Sequence, residues 1–170
     1  MVAEAEALFD ESYSIDCPAL TTERLVMRPP SEADIPELIA LADNRHVAEM
    51  LARMPHPYGE KEARAFLAMA ASPRSGAVYA LTLKEDGAVI GCAGLNATDR
   101  GLELGYWIGE PYWQRGYATE AAHALVDLAF MRTNIQVLHC ATRVINPASR
   151  RVIHKCGFQY AGQGMMNSIV

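Results

Sequence analysis

Residues 103–130 read ELGYWIGEPYWQRGYATEAAHALVDLAF. The first six have the composition of a strand, small residues and a proline follow, and an alanine- and leucine-rich run then repeats at helical spacing. Gly116 and Ala118 carry little side-chain bulk where the turn meets the helix, so the backbone can approach a ligand closely. Successive N–H groups at the positive end of a helix attract anions. The stretch therefore predicts a strand, a tight anion-binding loop and a long helix.

The composition is typical of one globular domain. The chain has 170 residues, of which 51% are hydrophobic and 21% charged, and this length is sufficient for one domain with a substantial core. No apolar run approaches the roughly 20 residues of a membrane helix. The first residues, MVAEAE, are acidic where a signal peptide is basic. We therefore expect a cytoplasmic protein without a membrane partner.

Charge and cysteine spacing argue against two further classes. The formal net charge of −5 is opposite to that of a nucleic-acid-binding surface, and it is weakly compatible with a cationic substrate. The cysteines lie far apart and form no Cys-x-x-Cys pair, so we expect reduced thiols and neither a metal site nor a disulfide scaffold. These are Cys17, Cys92, Cys140 and Cys156.

Periodicity predicts a mixed α/β or α+β sheet. Residues 1–18 have little pattern, so we expect an N-terminal arm followed by one domain over 19–170. The three strands between 78 and 108 are separated by turn sequences, which predicts an antiparallel meander. Strands are predicted at 24–28, 78–83, 88–95, 102–108, 136–144 and 158–165, and helices at 35–43 (in broken form to about 51), between 59 and Pro73, at 118–131, and from Pro147 to about Cys156.

Two predicted helices carry capping signals. Asp34, followed three residues later by Glu37, predicts a capping box at the start of the first helix. Asn146 before Pro147 predicts an N-cap with proline in the first turn of the last helix. Gly157 stands where a left-handed C′ glycine ends that helix.

The loop within the opening stretch has neither the Gly-x-Gly-x-x-Gly spacing of dinucleotide folds nor the spacing of a Walker loop. Together with flanking segments it resembles the GNAT acetyltransferases over about residues 20–165. Within that superfamily the chain is similar to the RimJ/RimL-like branch of ribosomal-protein N-terminal acetyltransferases. The resemblance implies an α+β fold whose splayed, mostly antiparallel mixed sheet is flanked by helices and admits the pantetheine of acetyl-CoA. It rests on TERLVMR at 22–28, the loop at 113–119, Asn146-x-x-Ser149, and KCGF at 155–158.

The resemblance assigns cofactor contacts to individual residues. The family's diphosphate loop, Gln/Arg-x-x-Gly-x-Gly/Ala, maps onto Trp113, Gly116 and Ala118, and Trp113 departs from its first position. Backbone amides are expected to make most of the hydrogen bonds to the diphosphate, with Arg115 adding positive charge. The implied contacts are the loop residues Gln114, Arg115, Gly116, Tyr117, Ala118 and Thr119, an amide of Trp107 or Ile108 facing the thioester oxygen, and Asn146 beside the pantetheine.

Acetyl transfer to an amine requires that the amine lose its proton, and the departing thiolate benefits from an acid. By position in the family motif, Glu103 matches a proposed general base, acting directly or through water, and Ser149 matches the acid. The alternatives are a solvated carboxylate for Glu103 and a plain first-turn serine for Ser149, with Tyr160 as another acid. No histidine or asparagine motif accompanies Cys140, which we interpret as a packing residue rather than an acyl-cysteine nucleophile.

The resemblance predicts direct acetyl transfer from acetyl-CoA to a primary amine in a ternary complex. A protein N-terminal α-amine is the first acceptor considered, and a small-molecule amine such as a polyamine or an antibiotic is the second. A non-catalytic acyl-CoA-binding module is the rival from another class. After Phe158 the sequence has room for one of the two C-terminal strands that relatives carry. We therefore expect an open sheet edge, and a homodimer is one way to cover it.

Overall fold

The fold is built on one sheet whose strands follow each other in chain order. A computed structural model describes residues 16–73 and 75–164. Within them, every neighbouring pair of strands is antiparallel except the last pair, which is parallel. The six strands are β1 (Leu20–Thr21), β2 (Leu25–Arg28), β3 (Ala77–Leu83), β4 (Val89–Thr98), β5 (Gly101–Ile108) and β6 (His139–Cys140).

Helices cover both faces of this sheet. On one face Leu38 forms a buried cluster with Val89 and Cys92 of β4. On the other face Leu104 and Leu125 belong to the main core. The first face is covered by α1 (Ile35–Ala42) and α3 (Glu60–Ala70), with α2 (Arg45–Glu49) between them in sequence, and the second by α4 (Tyr117–Arg132) and α5 (Pro147–Lys155).

The predicted α+β class is confirmed, as are the antiparallel meander and all the predicted helices. The last two predicted strands are wrong over most of their length. Of residues 136–144 only His139 and Cys140 form a strand, and residues 158–164 form none. A strand needs a neighbour for its ladder, and these segments find none beyond the two paired residues. The predicted arm, residues 1–18, lies mostly outside the described residues.

The predicted capping box of Asp34 and Glu37 is wrong. The Asp34 carboxylate instead accepts two hydrogen bonds from Arg28, at 2.7 and 2.8 Å, and one from the backbone N–H of Ser31 at 2.7 Å. Ser31 thereby starts a short 3-10 turn that precedes α1. The Glu37 carboxylate accepts from the N–H of Val89 at 3.3 Å rather than from its own helix. Both acids are used for tertiary contacts.

The capping signals of α5 are confirmed. The side-chain oxygen of Asn146 accepts a hydrogen bond from the N–H of Ser149 at 3.0 Å. At the other end, Gly157 has φ +86° and its N–H donates to the carbonyl of His154 at 3.0 Å. The N–H of Phe158 donates to the carbonyl of Ile153 at 3.1 Å, which completes a Schellman motif. Local sequence therefore fixes both ends of this helix.

Among residues 16–73 and 75–164, no helix is both long enough and apolar enough to cross a bilayer.

The ion pair of Arg28 and Asp34 makes a testable contribution to stability. The Asp34 side chain is 4% exposed, and the hydrogen bonds from Arg28, opposed by burial and helped by Ser31, lower the pKa of its carboxyl group. Asp34→Asn should therefore reduce the free energy of unfolding by about 2–3 kcal/mol at neutral pH. Urea titrations followed by circular dichroism would measure the loss.

The stability difference between wild type and Asp34→Asn should depend on pH. An aspartate with a lowered folded-state pKa stabilises the protein above its unfolded pKa, near about 4, and that contribution is lost as pH falls through the folded pKa. The stability gap between wild type and Asp34→Asn should therefore narrow below about pH 4. The exposed Asp127→Asn on α4 is the matched control. Equal losses in the two variants at neutral pH would contradict the account.

Candidate active site

The last two strands of the sheet separate after two paired positions. Glu103 pairs with His139 and Leu104 with Cys140, and there the parallel ladder ends. Residues 105–108 of β5 continue to pair with β4 on their other side. Within the described part of the chain, the second half of β5 therefore has one edge without a strand partner. Free N–H and C=O groups along such an edge are able to bind an extended ligand.

The loop after β5 presents further N–H groups. Gln114 and Gly116 both have positive φ, +61° and +81°, and the 16-residue helix α4 starts directly after them. The N–H of Glu120 is the first in the helix to find its intrahelical acceptor, the carbonyl of Gly116 at 3.1 Å. No side chain caps this end. The N–H groups of Tyr117, Ala118 and Thr119 thus lack helical acceptors, as an anion site requires.

A tyrosine that sequence reasoning missed reaches Ser149 from the unpaired half of β5. The Tyr106 hydroxyl lies 2.8 Å from the Ser149 hydroxyl and 3.2 Å from the Ser149 carbonyl oxygen. Burial raises the pKa of Tyr106 above its usual value, although the bond to Ser149 opposes this. The phenol is therefore protonated at neutral pH, and it has one hydrogen to donate to the carbonyl or to the hydroxyl of Ser149. The two residues are far apart in sequence, and no local pattern signals their contact.

The predicted base and the predicted acid lie on opposite faces of β5. Glu103 and Tyr106 are three residues apart, and side chains alternate along a strand. The Glu103 side chain is 27% exposed and lies 3.5 Å from the guanidinium of Arg100. Its cross-strand neighbours are Asn96 on β4 and His139 on β6. The structure therefore brings Ser149 to Tyr106 and keeps Glu103 on the other face.

Other predicted contact residues make bonds or packing contacts within the protein. The indole N–H of Trp113 donates to the carbonyl of Ile108 at 2.6 Å, which ties the loop to the end of β5. Trp107 packs against the clusters beneath α1 and α3. The Asn146 side chain, besides capping α5, donates to the carbonyl of Met50 at 3.3 Å. Asn146 is thus engaged within the protein, and its contact with pantetheine remains a prediction.

One polar atom beside the gap has no partner. The hydroxyl of Thr142, two residues beyond β6, is buried and makes no hydrogen bond in the described part of the protein. If the parallel register continued, Thr142 would face Tyr106. A buried hydroxyl without a partner is costly, and a ligand with amide groups in the gap would supply one. Among residues 16–73 and 75–164, no three His, Cys, Asp or Glu side chains are grouped to hold a metal ion.

Comparisons of sequence identify a family. A family profile described as the acetyltransferase (GNAT) domain matches residues 24–159. An N-acetyltransferase of Bacillus licheniformis, p20, is 30% identical over 87 residues, which is 49% of this chain and 49% of that protein. This chain thus spans about half the length of that relative. YoaA, an N-acetyltransferase of Bacillus subtilis, is 25% identical over 150 residues, 85% of this chain and 85% of that protein.

Solved structures share the fold. An acetyltransferase of the GNAT family from Bacillus anthracis superposes with a TM-score of 0.76 at 20% identity, covering 85% of this chain and 86% of that chain. RimL, a ribosomal-protein alpha-N-acetyltransferase solved in complex with coenzyme A, superposes with a TM-score of 0.69 at 21% identity, covering 85% of this chain and 84% of that chain. These likenesses establish the fold.

The left-handed conformation of Gly116 provides a test of the loop. A β-branched residue at φ +81° is strained, so Gly116→Val should displace the N–H groups and weaken acetyl-CoA binding at least about tenfold. Isothermal titration calorimetry with acetyl-CoA would measure the change. Gly87→Val is the matched control, because Gly87 has φ +77° in open space at a distant hairpin turn. Equal affinity of the two variants would show that the diphosphate binds elsewhere.

Proposed function

This chain belongs to the GNAT acetyltransferase family, and we propose on that premise that it transfers the acetyl group of acetyl-CoA to a primary amine by direct attack in a ternary complex. One observation carries the proposal. The gap between β5 and β6 leads to the free N–H groups at the start of α4, and the bonded pair of Tyr106 and Ser149 lies at its edge. A donor with a diphosphate, an extended arm and a thioester matches these three features in order.

The residues around the gap fit acetyl-CoA. The loop N–H groups from Gln114 to Thr119 suit the diphosphate. The hydroxyl of Thr142 has no partner among the described residues, and an amide of the pantetheine arm would supply one. The amides of Trp107 and Ile108 are the candidate donors to the thioester oxygen. When bound, acetyl-CoA would supply an activated acyl carbon to the attacking amine.

Glu103 is the proposed base and acts through water. Glu103 is three residues before Tyr106, which corresponds to about 10 Å along an extended strand, so its carboxylate is set back from the unpaired part of β5. An α-amine, with a pKa near about 8, is partly neutral at neutral pH, whereas a lysine amine near about 10.4 is not. A water-mediated base is therefore better matched to an α-amine.

Ser149 is the proposed acid, and Tyr106 leaves the hydroxyl hydrogen of Ser149 available for transfer. When the protonated phenol donates to the Ser149 hydroxyl oxygen, 2.8 Å away, the hydrogen of the serine is free to move to the departing sulfur. A separate base and acid suit direct transfer, because the proton that the attacking amine loses and the proton that the leaving thiolate gains are then handled by different groups.

A covalent acyl-cysteine route is disfavoured. Cys140 lies beside the gap, but burial, with the charge of Glu103 as a smaller cause, raises the pKa of its thiol to about 12. The thiolate is the nucleophilic form of cysteine, and at neutral pH it is nearly absent here. An acetyl thioester on Cys140 after mixing with acetyl-CoA alone would therefore contradict the direct mechanism.

We assign the acceptor to the protein N-terminal α-amines. The proposal is supported by the resemblance to the RimJ/RimL-like branch and by the match between a water-mediated base and an amine of low pKa. The cytoplasmic location expected from the sequence belongs to the same proposal, since newly made proteins present their N-termini there.

Mass spectrometry of an acceptor panel tests this assignment. The panel contains peptides with free N-termini, the same peptides with blocked N-termini and an internal lysine, spermidine, and an aminoglycoside. Acetylation of the free N-termini is expected. Acetylation of spermidine or the aminoglycoside alone would overturn the assignment in favour of a small-molecule enzyme. Retained acetyl-CoA binding with no acetylated product would indicate a non-catalytic acyl-CoA-binding module.

The role of Glu103 is tested with Glu103→Gln. Because general-base catalysis contributes about 100-fold or more, kcat should fall by about that factor while the acetyl-CoA Kd stays within about twofold. The acidic limb of the pH profile of kcat/KM, which reports loss of the ionised base, should disappear. Glu85→Gln in the exposed hairpin between β3 and β4 is the control. A variant that retains the wild-type pH profile would remove Glu103 as the base.

The acid pair is tested with Ser149→Ala and Tyr106→Phe. Each should lower kcat by about tenfold with little change in acetyl-CoA affinity, and the double variant should lose little more than Ser149→Ala, because the two hydroxyls act as a unit. Tyr160→Phe, at a residue 80% exposed, should leave kcat unchanged. Loss of activity in Tyr160→Phe, with none in the other two variants, would identify Tyr160 as the acid.

A further inference from the structure

Arg24 lies in the turn between β1 and β2, yet its side chain contacts the start of α4. Its Nη1 donates to the carbonyl of Arg115 at 2.8 Å, and its guanidinium carbon lies 4.5 Å from the ring centre of Tyr117. A Cβ at Gly116 would lie 3.4 Å from Arg24 Nη2. Arg24 therefore contacts the residues on both sides of Gly116: the backbone of Arg115 and the ring of Tyr117.

Glu120 joins the same contacts from the first turn of α4. Its carboxylate accepts from the Thr22 hydroxyl at 2.6 Å, and from the backbone N–H and Nε of Arg24, both at 2.7 Å. The Glu120 side chain is 15% exposed. Burial acts to raise its pKa, but these hydrogen bonds together lower it, so the carboxylate is ionised at neutral pH.

An ionised Glu120 in this position opposes anion binding. Carboxylates in the first helical turn stabilise the helix, but an uncompensated negative charge repels a diphosphate at the same terminus. Arg24 supplies the opposite charge in direct contact. The positive charge of Arg24 thereby offsets the repulsion between Glu120 and a diphosphate. Its Nη1 also donates to the carbonyl of Arg115, and this bond fixes the orientation of the N–H groups that follow in the loop.

We propose that Arg24 is the positioning residue for the diphosphate of acetyl-CoA: it fixes the backbone of residues 115–117 and neutralises Glu120 from outside the loop. The inference rests on the proposed function, because it assumes that this loop holds the diphosphate. Arg24 itself is not assigned a contact with the ligand or with the reacting atoms. Its effect reaches the ligand through the loop N–H groups.

The two hydrogen-bonding directions of the Arg24 guanidinium allow its positioning effect to be distinguished from the effect of its charge. Nε and Nη1 donate in different directions, to Glu120 and to Arg115. A lysine has a single ammonium group and is unable to reproduce both bonds with the same geometry. Arg24→Lys therefore keeps the charge and loses the positioning, whereas Arg24→Gln loses both.

Calorimetry with acetyl-CoA and hydrogen exchange of the ligand-free protein test the proposal together. Arg24→Gln should weaken acetyl-CoA binding by on the order of tenfold, and Arg24→Lys should recover only part of that loss. In both variants the amide of Glu120, which donates to the carbonyl of Gly116, should exchange faster, while the amides of β3 and β4 keep their wild-type rates. Arg132→Gln removes a positive charge from the far end of α4 and should change neither measurement.

The outcomes separate this inference from the proposed function. If wild-type protein fails to bind acetyl-CoA, the proposed function is wrong and the inference with it. If wild type binds and Arg24→Gln binds equally well, only the inference is overturned. Full recovery by Arg24→Lys would assign the effect to charge alone and would also overturn positioning. Faster exchange throughout the protein would show general destabilisation, which contradicts a role confined to the loop.

Discussion

The early separation of β5 from β6 is the constraint on which the site depends. Two paired positions hold the strands together, and the chain beyond Cys140 then leaves the sheet and enters α5. The first turn of that helix meets β5 through the bond between Ser149 and Tyr106. A longer β6 would have placed Thr142 opposite Tyr106, but the ladder ends before that position. The unpaired half of β5 and the gap beside it follow from this arrangement.

The loop and helix after β5 complete the site from the other end. The positive φ values of Gln114 and Gly116 turn the chain so that α4 starts with its N–H groups free. The Trp113 indole ties the loop to the end of β5, and Arg24 ties it to the β1–β2 turn. The candidate site is thus formed by the short strand β6, the capped helix α5 and a loop held by two distant parts of the chain.

Features set by neighbouring residues were predictable from sequence. The N-cap of Asn146 and the left-handed Gly157 depend on a few adjacent residues, and both predictions are confirmed. The meander was predictable because turn residues separate short β-rich runs. The loop at 113–119 was recognisable because its small residues precede a long helical pattern. The roles predicted for Glu103, Ser149 and the loop residues remain predictions.

Features set by distant partners were not predictable. The length of β6 depends on a neighbouring strand rather than on the β-branched residues of 136–144. Asp34 has the local sequence of a helix cap, but Arg28 on β2 binds its carboxylate. Tyr106 lies 43 residues before Ser149 and Arg24 lies 96 residues before Glu120, so neither contact leaves a local pattern. Both contacts are side-chain hydrogen bonds between residues far apart in sequence, and hydrophobic periodicity does not predict such bonds.

A crystal structure of the protein with acetyl-CoA would show where the cofactor binds. We expect the diphosphate oxygens to lie within hydrogen-bonding distance of backbone N–H groups in residues 114–119, and the pantetheine arm to run between β5 and β6 toward Ser149. A diphosphate bound instead to the exposed cations of α5, Arg150, Arg151 and Lys155, with the gap between β5 and β6 empty, would contradict this expectation.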